Sequence, residues 1–494
     1  METWIRHSRA LRATLLADPY RPLYHIVTPE GICAPFDPNG ALFWNGRYHL
    51  HTIVQTEKGH CWDHISSHDL VHWRHHGLSL EPGGVDEGIF SGGAFVDKDG
   101  VPTISYWGLG KNAGICLATS TDPDLGVWTK SPHSPAIPQT APGIFEGNDG
   151  LVYGAADPSA VWMHEGRYTM LTGNLLVLRA YGLERGLDQH KGDTAYLFVS
   201  DDLIHWEYLH PFYTSSRAWT REDEDDMCPD FFPLGDRHML LFISHNLGCQ
   251  YYLGRYENDR FCPETHGRMT WVDNAFFAPE SLVDDRGRRI MWAWVFDGRE
   301  PATRAASGWS GTLSLPRVLW LGEERTLRMA PPEELVVLRT KPRTCASLIV
   351  PADGEVRLEE VWGNSLELAV EMRLGGAAQA GVKVCCSPDG AEETLVYYDA
   401  VEKKLKVDTT RSSLGEGPKL VEGGPLALGE GEPLKLRVFV DRSIIEVFAN
   451  DRQAVTRCIY PTRPDSLGVS LFCQGGPVEA PSVQAWEMAP ANPW

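Results

Sequence analysis

Apolar and polar residues alternate along most of this chain with a period of two. From Ala41 onward, short apolar or alternating runs are broken by Gly, Asp and Asn turns, which is the pattern of strands with one face buried. One unit recurs. A turn carrying glycine precedes a strand-like run at Gly46–Ile53, Gly100–Tyr106, Gly166–Leu171, Gly235–Phe242 and Gly287–Trp294. The steps between these glycines are 54, 66, 69 and 52 residues. A second signature follows three of the runs: Ser67-His-Asp-Leu-Val-His-Trp73, Ser120-Thr-Asp-Pro-Asp-Leu-Gly-Val-Trp128 and Ser200-Asp-Asp-Leu-Ile-His-Trp206. Ser and Asp side chains in such a turn bond nearby backbone N–H groups, and the Trp that follows is expected to pack between sheets. Five units, each long enough for about four short strands, predict an all-β fold headed by a five-bladed β-propeller. A pair of β-sandwiches whose segments are similar by accident is the alternative.

The units are flanked by two other regions. Residues 1–30 read as a lead-in, helical from Trp4 to Leu16 and then interrupted by prolines. The propeller is placed at 31–321. Residues 322–345, with Pro331, Pro332 and Pro342, read as a linker. From 346 to 494 alternating strands resume without a repeat, at Glu355–Leu358, Leu366–Val370, Leu436–Val440 and Ile444–Phe448. Gly/Pro-rich turns separate them, and this part reads as a C-terminal β-sandwich.

Composition narrows the partners. The chain has 494 residues, 43% of them hydrophobic, and a formal charge of −21. That charge argues against nucleic acid and anionic membranes, which are drawn to Lys/Arg patches. No run is long enough for a transmembrane helix, and Met1–Leu16 carries Arg6, Arg9 and Arg12 in place of a signal peptide's apolar stretch. The eleven cysteines are scattered without metal-site spacing, so they are expected to be reduced thiols of a cytoplasmic protein. The seventeen tryptophans suit sugar stacking, although most are expected in the β-rich core.

Candidate chemistry sits at the starts of successive units. Asp37 lies in Phe36-Asp-Pro-Asn-Gly40, Ser91 in Phe90-Ser-Gly-Gly93, and Asp157 in Ala156-Asp-Pro158. The run Glu222–Asp226 places five carboxylates in a row before Met227-Cys-Pro-Asp230. Each has a plain reading as well: Asp-Pro-Asn-Gly is an ordinary β-turn, and a block of like charge is commonly a solvated loop. In a propeller, however, the starts of successive units converge on one rim of the central funnel. Paired carboxylates on such loops are what glycoside hydrolysis needs, one to attack the sugar and one to transfer a proton.

These segments together resemble glycoside hydrolase family 32, the β-fructofuranosidase, inulinase and levanase family. Asp37-Pro-Asn-Gly40 matches its nucleophile motif, and His64–Trp73 resembles its Gly-His-Ala-x-Ser-x-Asp-Leu-x-x-Trp segment. Phe90–Gly93 resembles Phe-Ser-Gly-Ser, Asp157-Pro158 matches Arg-Asp-Pro, and Cys228-Pro-Asp230 matches the end of Glu-Cys-Pro-Asp. Phe276–Glu280, Gly308–Arg317 and Phe439–Phe448 continue the likeness in the family's order. The resemblance implies a retaining hydrolase of β-fructosides that needs no cofactor and no metal. Asp37 would be the nucleophile, Asp157 the clamp on sugar hydroxyls, and Asn39, Ser91, Gly92 and Trp309 substrate-binding residues. A small sugar or oligosaccharide would be the partner, and oligomeric state is left open.

Three positions depart from the family pattern. Phe36 stands for Asn, Ala156 for Arg, and Met227 for the acid/base Glu that directly precedes Cys. Methionine carries no transferable proton. Glu224 is therefore the expected acid, with Glu222, Asp225 and Asp226 as the other choices. A non-catalytic fructan- or sucrose-binding propeller, a fructosyltransferase and a related furanosidase are the competing functions.

Overall fold

The computed structural model describes residues 2–29, 31–187 and 190–491. Five antiparallel sheets follow one another along the chain. The first blade is built from Pro38–Trp44, Arg47–Thr56, Gly59–Ser67 and Trp73–Leu80. The second centres on Pro102–Leu109 and Gly114–Thr119, the third on Arg167–Thr172 and Tyr196–Ser200, the fourth on Arg237–Ser244 and Gly248–Glu257, and the fifth on Phe276–Val283 and Arg289–Val295.

The repeat seen in sequence is one turn used five times. Gly46, Gly100, Gly166, Gly235 and Gly287 each stand at the entry to a blade's second strand with φ between 62° and 81°. At Gly46, Gly100, Gly166 and Gly287 nothing lies within 4 Å of where a Cβ would be, so the backbone angle and not space calls for glycine. The second signature also closes as expected. Asp69 Oδ1 accepts the N–H groups of Val71 and His72, and Asp202 Oδ1 those of Ile204 and His205. The Trp that follows packs across a blade boundary: Trp73 meets Trp292 edge-on at 6.0 Å, and Trp128 Nε1 donates to His51 Nε2 at 3.3 Å.

Two features depart from the expected layout. An extra hairpin, Ile144–Glu146 with Val152–Gly154, lies between the second and third blades, and the third carries a helix, Leu176–Arg185, closed by Gly186 in the left-handed conformation; these inserts account for the two long repeat steps of 66 and 69 residues. The segment 322–345 is not a free linker. Leu327–Ala330 is the outer strand of the fifth blade, and Arg339–Cys345 pairs with the final strand, Val478–Met488, inside the sandwich. Only a short 3-10 turn, Glu333–Leu338, lies between them.

The C-terminal part stacks a seven-stranded sheet on a six-stranded one, with aliphatic residues such as Leu368, Val382, Val396, Val438 and Leu471 fully buried between them. The lead-in helix spans Glu2–Ala17. The segment after it runs along both domains. His25 contacts Asp441 and Glu446 of the sandwich, and Thr28 bonds Gly311 and Ser310 of the last blade.

Candidate active site

Asp37 is fixed by its own turn. Asn39 Nδ2 donates to the Asp37 carbonyl at 2.8 Å, while Asn39 Oδ1 accepts the N–H of Gly92 at 2.9 Å, so one amide ties the first blade to the second. The Gly40 N–H donates to the Gly92 carbonyl at 3.0 Å. Ser91 then donates its hydroxyl to Asp37 Oδ2 at 2.8 Å. Gly92 permits this approach, because a Cβ there would stand 1.9 Å from the Ser105 carbonyl oxygen. Asn39 and Gly92 thus build the wall that holds the carboxylate.

Asp157 reaches the same place from the third blade, with a positive φ of 39°. Cys228, also at positive φ, donates its thiol to Asp157 Oδ2 at 3.3 Å. Such angles on non-glycine residues cost free energy and gather where the chain must aim a side chain. Asp37 and Asp157 are both buried, and in each the Oδ1 atom has no hydrogen-bond partner. Burial raises the Asp37 carboxyl to about 7 against the pull of Ser91, and the charge of Asp157 adds to the rise. Burial likewise raises Asp157 to about 6, with Cys228 and His245 lowering it and Asp225 raising it. Two desolvated carboxyls within each other's field, each with an unsatisfied oxygen, form a site ready for a polyhydroxyl ligand or a cationic transition state.

The acidic run divides among separate tasks. Glu224 is fully buried, but Arg268 donates to it at 2.8 Å, Gln250 at 3.1 Å and the Arg221 N–H at 3.0 Å. Burial alone would raise its pKa; Arg268 and the other donors outweigh that and lower it. A carboxylate so stabilised in its charged form is a poor proton donor, and the expectation that Glu224 is the acid is corrected on that ground. Asp226 accepts from Tyr213 at 2.7 Å in a buried cluster with Asp193. Asp225 instead holds His245, with the backbone N–H on Oδ1 at 2.8 Å and the ring Nδ1 on Oδ2 at 2.6 Å.

Trp309 also departs from its expected place. It is 2% exposed, its Nε1 donates to Asp18 Oδ2 at 2.6 Å, and Arg299 lies 4.8 Å over its ring. It joins the lead-in to the last blade and presents no open face to a sugar. Of the departures from the family pattern, Phe36 is core, packed where a Cβ on Gly311 would fall 2.7 Å from it, and Ala156 is fully buried. Met227 is buried as well and pairs with Ile243. The pairing of Asp225 with His245 was not expected from sequence. Its only signal was the strand register: two positions beyond the Met227–Ile243 pair on either strand lie Asp225 and His245.

Comparison with known proteins places this geometry. Residues 25–331 match the model of the glycosyl hydrolases family 32 N-terminal domain and residues 334–487 that of the family 32 C terminal. A sucrose-6-phosphate hydrolase of Zymomonas mobilis is 28% identical, over 97% of this chain and 94% of its own. A levanase of Bacillus sp. strain L7 is 29% identical, over 96% of this chain and 52% of its own. Fructan 1-exohydrolase IIa from Cichorium intybus shares the fold with a TM-score of 0.82 at 22% identity, over 96% of this chain and 98% of its own.

Proposed function

The chain belongs to glycosyl hydrolase family 32, and from that premise we propose that it hydrolyses β-fructofuranosidic bonds by a retaining double displacement. The observation that carries the reading is the pair of buried aspartates from the first and third blades, each keeping one carboxyl oxygen free of protein partners. Asp37 attacks the anomeric carbon of the fructosyl unit as the glycosidic C–O bond breaks, which gives a fructosyl ester on Asp37 and the free alcohol. Asp157 accepts hydrogen bonds from sugar hydroxyls, and its charge favours the oxocarbenium-like transition state. Water then attacks the same carbon and releases Asp37. The sugar class follows the relatives, which include sucrose-6-phosphate hydrolases, levanases and fructan exohydrolases. The eleven free cysteines, among them the adjacent buried pair Cys385 and Cys386, support a reducing, cytoplasmic setting.

The test is product analysis on sucrose, sucrose-6-phosphate, inulin and levan. Fructose release by the wild type is expected, together with loss of nearly all turnover in a folded Asp37→Asn. An Asp37→Asn variant that kept more than about a hundredth of the rate would remove the nucleophile assignment. Binding of these sugars by the wild type without turnover would favour the non-catalytic reading.

A further inference from the structure

The retaining reaction proposed above needs a proton donor for the leaving oxygen, and on that reading rests the following step. The position directly before Cys228 holds Met227, which has no proton to give, and Glu224 is locked to Arg268. Asp226 is fully buried, and the charges acting on it are those of Asp193 and Asp225, not those of the aspartate pair. Two proton-bearing side chains at the start of this blade lie in the field of Asp37 and Asp157: Cys228, whose thiol is bonded to Asp157 and held protonated by burial and by both aspartates, and His245 on the neighbouring strand, two positions past the Met227–Ile243 pair.

We propose that His245, gripped by Asp225, is the general acid and base of this enzyme. Asp225 uses both carboxylate oxygens on His245, one on its backbone N–H and one on Nδ1. That fixes the ring and leaves Nε2 without a hydrogen-bond partner among the described residues. Phe277 packs against the ring edge-on at 5.6 Å, and Asn274 holds the His245 carbonyl at 2.8 Å. The side chain is 40% exposed, while Asp225 beneath it is fully buried. It therefore looks outward into open space from a rigid seat. The charged groups acting on it are Asp225, Asp157 and Asp37. Burial disfavours the imidazolium, but the bond and charge of Asp225, with the two aspartates, outweigh this and raise its pKa. A protonated imidazole in the field of the nucleophile is the state a general acid needs at the outset.

The protons balance over two steps. As Asp37 forms its bond to the anomeric carbon, Nε2–H of His245 passes its proton to the departing glycosidic oxygen, leaving a neutral imidazole. In the second step Nε2 takes a proton from the attacking water as its oxygen bonds to the anomeric carbon and the Asp37 ester breaks. His245 is then an imidazolium again and Asp37 a carboxylate. Asp225 holds the ring and its charge throughout, a positioning role.

The experiment compares sucrose with an aryl β-fructofuranoside, whose leaving oxygen hardly needs protonation. His245→Ala should lower turnover of sucrose by roughly a hundredfold or more while nearly preserving the first burst of phenol. The fructosyl-enzyme should accumulate, visible by intact mass, and added azide should restore turnover by giving the fructosyl azide. His245→Gln should behave alike, which covers failure of the alanine variant to fold. Introducing Met227→Glu into His245→Ala should recover sucrose hydrolysis by about tenfold or more, since it puts a carboxyl at the vacant donor position. In Asp225→Asn the alkaline limb of kcat/KM should move to lower pH, because the imidazolium loses its main support. An equal slowing of both substrates in His245→Ala, or the leaving-group dependence seen in Asp226→Asn instead, would overturn the assignment. A wild type active on sucrose with His245→Ala unchanged defeats this inference alone. A wild type inert on every fructoside defeats the fructosidase reading and this inference with it.

Discussion

Asp37 and Glu224 are both buried carboxyls, and their neighbours drive them in opposite directions. Asp37 has one hydroxyl donor and a like charge nearby, so burial wins and its pKa climbs to about 7. Glu224 has a guanidinium, an amide and a backbone N–H, so burial loses. Two outcomes follow at this scale. On the proposed mechanism Asp37 attacks as a carboxylate, so the acid limb of kcat/KM should lie near neutrality, well above an ordinary aspartate. Ser91→Ala removes the hydrogen bond that pulls Asp37 down and should move that limb to higher pH, measured on sucrose across pH 4–8. Glu224→Gln leaves Arg268 without its anion in a nearly closed site, which costs on the order of 3 kcal/mol. It should lower the unfolding midpoint in denaturant while the rate ratio between sucrose and an aryl fructoside stays at the wild-type value. A changed ratio would return Glu224 to the chemistry. That Asp37, Ser91 and Asp157 come together was legible in sequence, because each opens a repeating unit and a local turn supplies its seat. The pairing of Asp225 with His245 was not, because the two lie twenty residues apart across a strand pair. Trp309 was misread because a Trp on a surface loop and a Trp clasped by Asp18 and Arg299 look the same in one dimension.

At the scale of elements, the blades were legible because the same positive-φ glycine turn and the same Asp-closed turn recur. What the pattern could not show is how polar the inside of one blade is. His49 and His51 on Arg47–Thr56, His64 on Gly59–Ser67 and His76 on Trp73–Leu80 stack through the first blade. Ring centroids lie 5.2 Å apart for His49–His64, 4.8 Å for His51–His64 and 4.4 Å for His64–His76. His49 Nδ1 and His64 Nε2 are 3.0 Å apart, which requires a neutral acceptor on one of them. Burial, and then the charge of the neighbouring rings, depresses His51 to about 3 and lowers His64. Burial takes His49 to about 4. Groups of lowered pKa take up protons on unfolding, so the stability they allow is complete above about 6.5 and is lost as pH falls toward 4. The first blade should open first in acid. Hydrogen exchange at pH 4.5 against pH 7 should show loss of protection over residues 47–80 before the sandwich strands, and uniform loss across the chain would refute it.

The whole molecule is held by charges buried where the propeller meets the sandwich. Arg317 of the last blade, fully buried, donates to Glu446 at 3.1 Å and Thr456 at 2.6 Å. Arg457 of the sandwich reaches back to Asp273 and shares Glu422, which itself accepts from Thr270 and Trp271. The lead-in completes the joint: Asp441 accepts three successive backbone N–H groups, of Leu23, Tyr24 and His25, as well as His25 Nδ1, and His25 Nε2 meets Glu446 at 3.3 Å. The sequence marked the two domains by the presence and absence of repeats, but the partners that meet across the joint are separated by more than a hundred residues and no local pattern connects them. Breaking a buried ion pair from one side leaves an uncompensated charge and costs about 3–5 kcal/mol. The two domains should therefore unfold in one calorimetric transition, and Arg457→Met should lower it or split it in two. His25 adds a pH signature. Burial opposes its charge, but Asp441 and Glu446 outweigh that and raise its pKa to about 9. A raised histidine contributes stability that is fully present below its unfolded value of about 6.5 and is lost as pH climbs through 9. The unfolding temperature of the wild type should fall between pH 7 and pH 9.5. In His25→Gln, whose amide carries no proton to lose, it should start lower and stay flatter over the same range. Parallel curves for the two proteins would show that His25 is neutral in the joint.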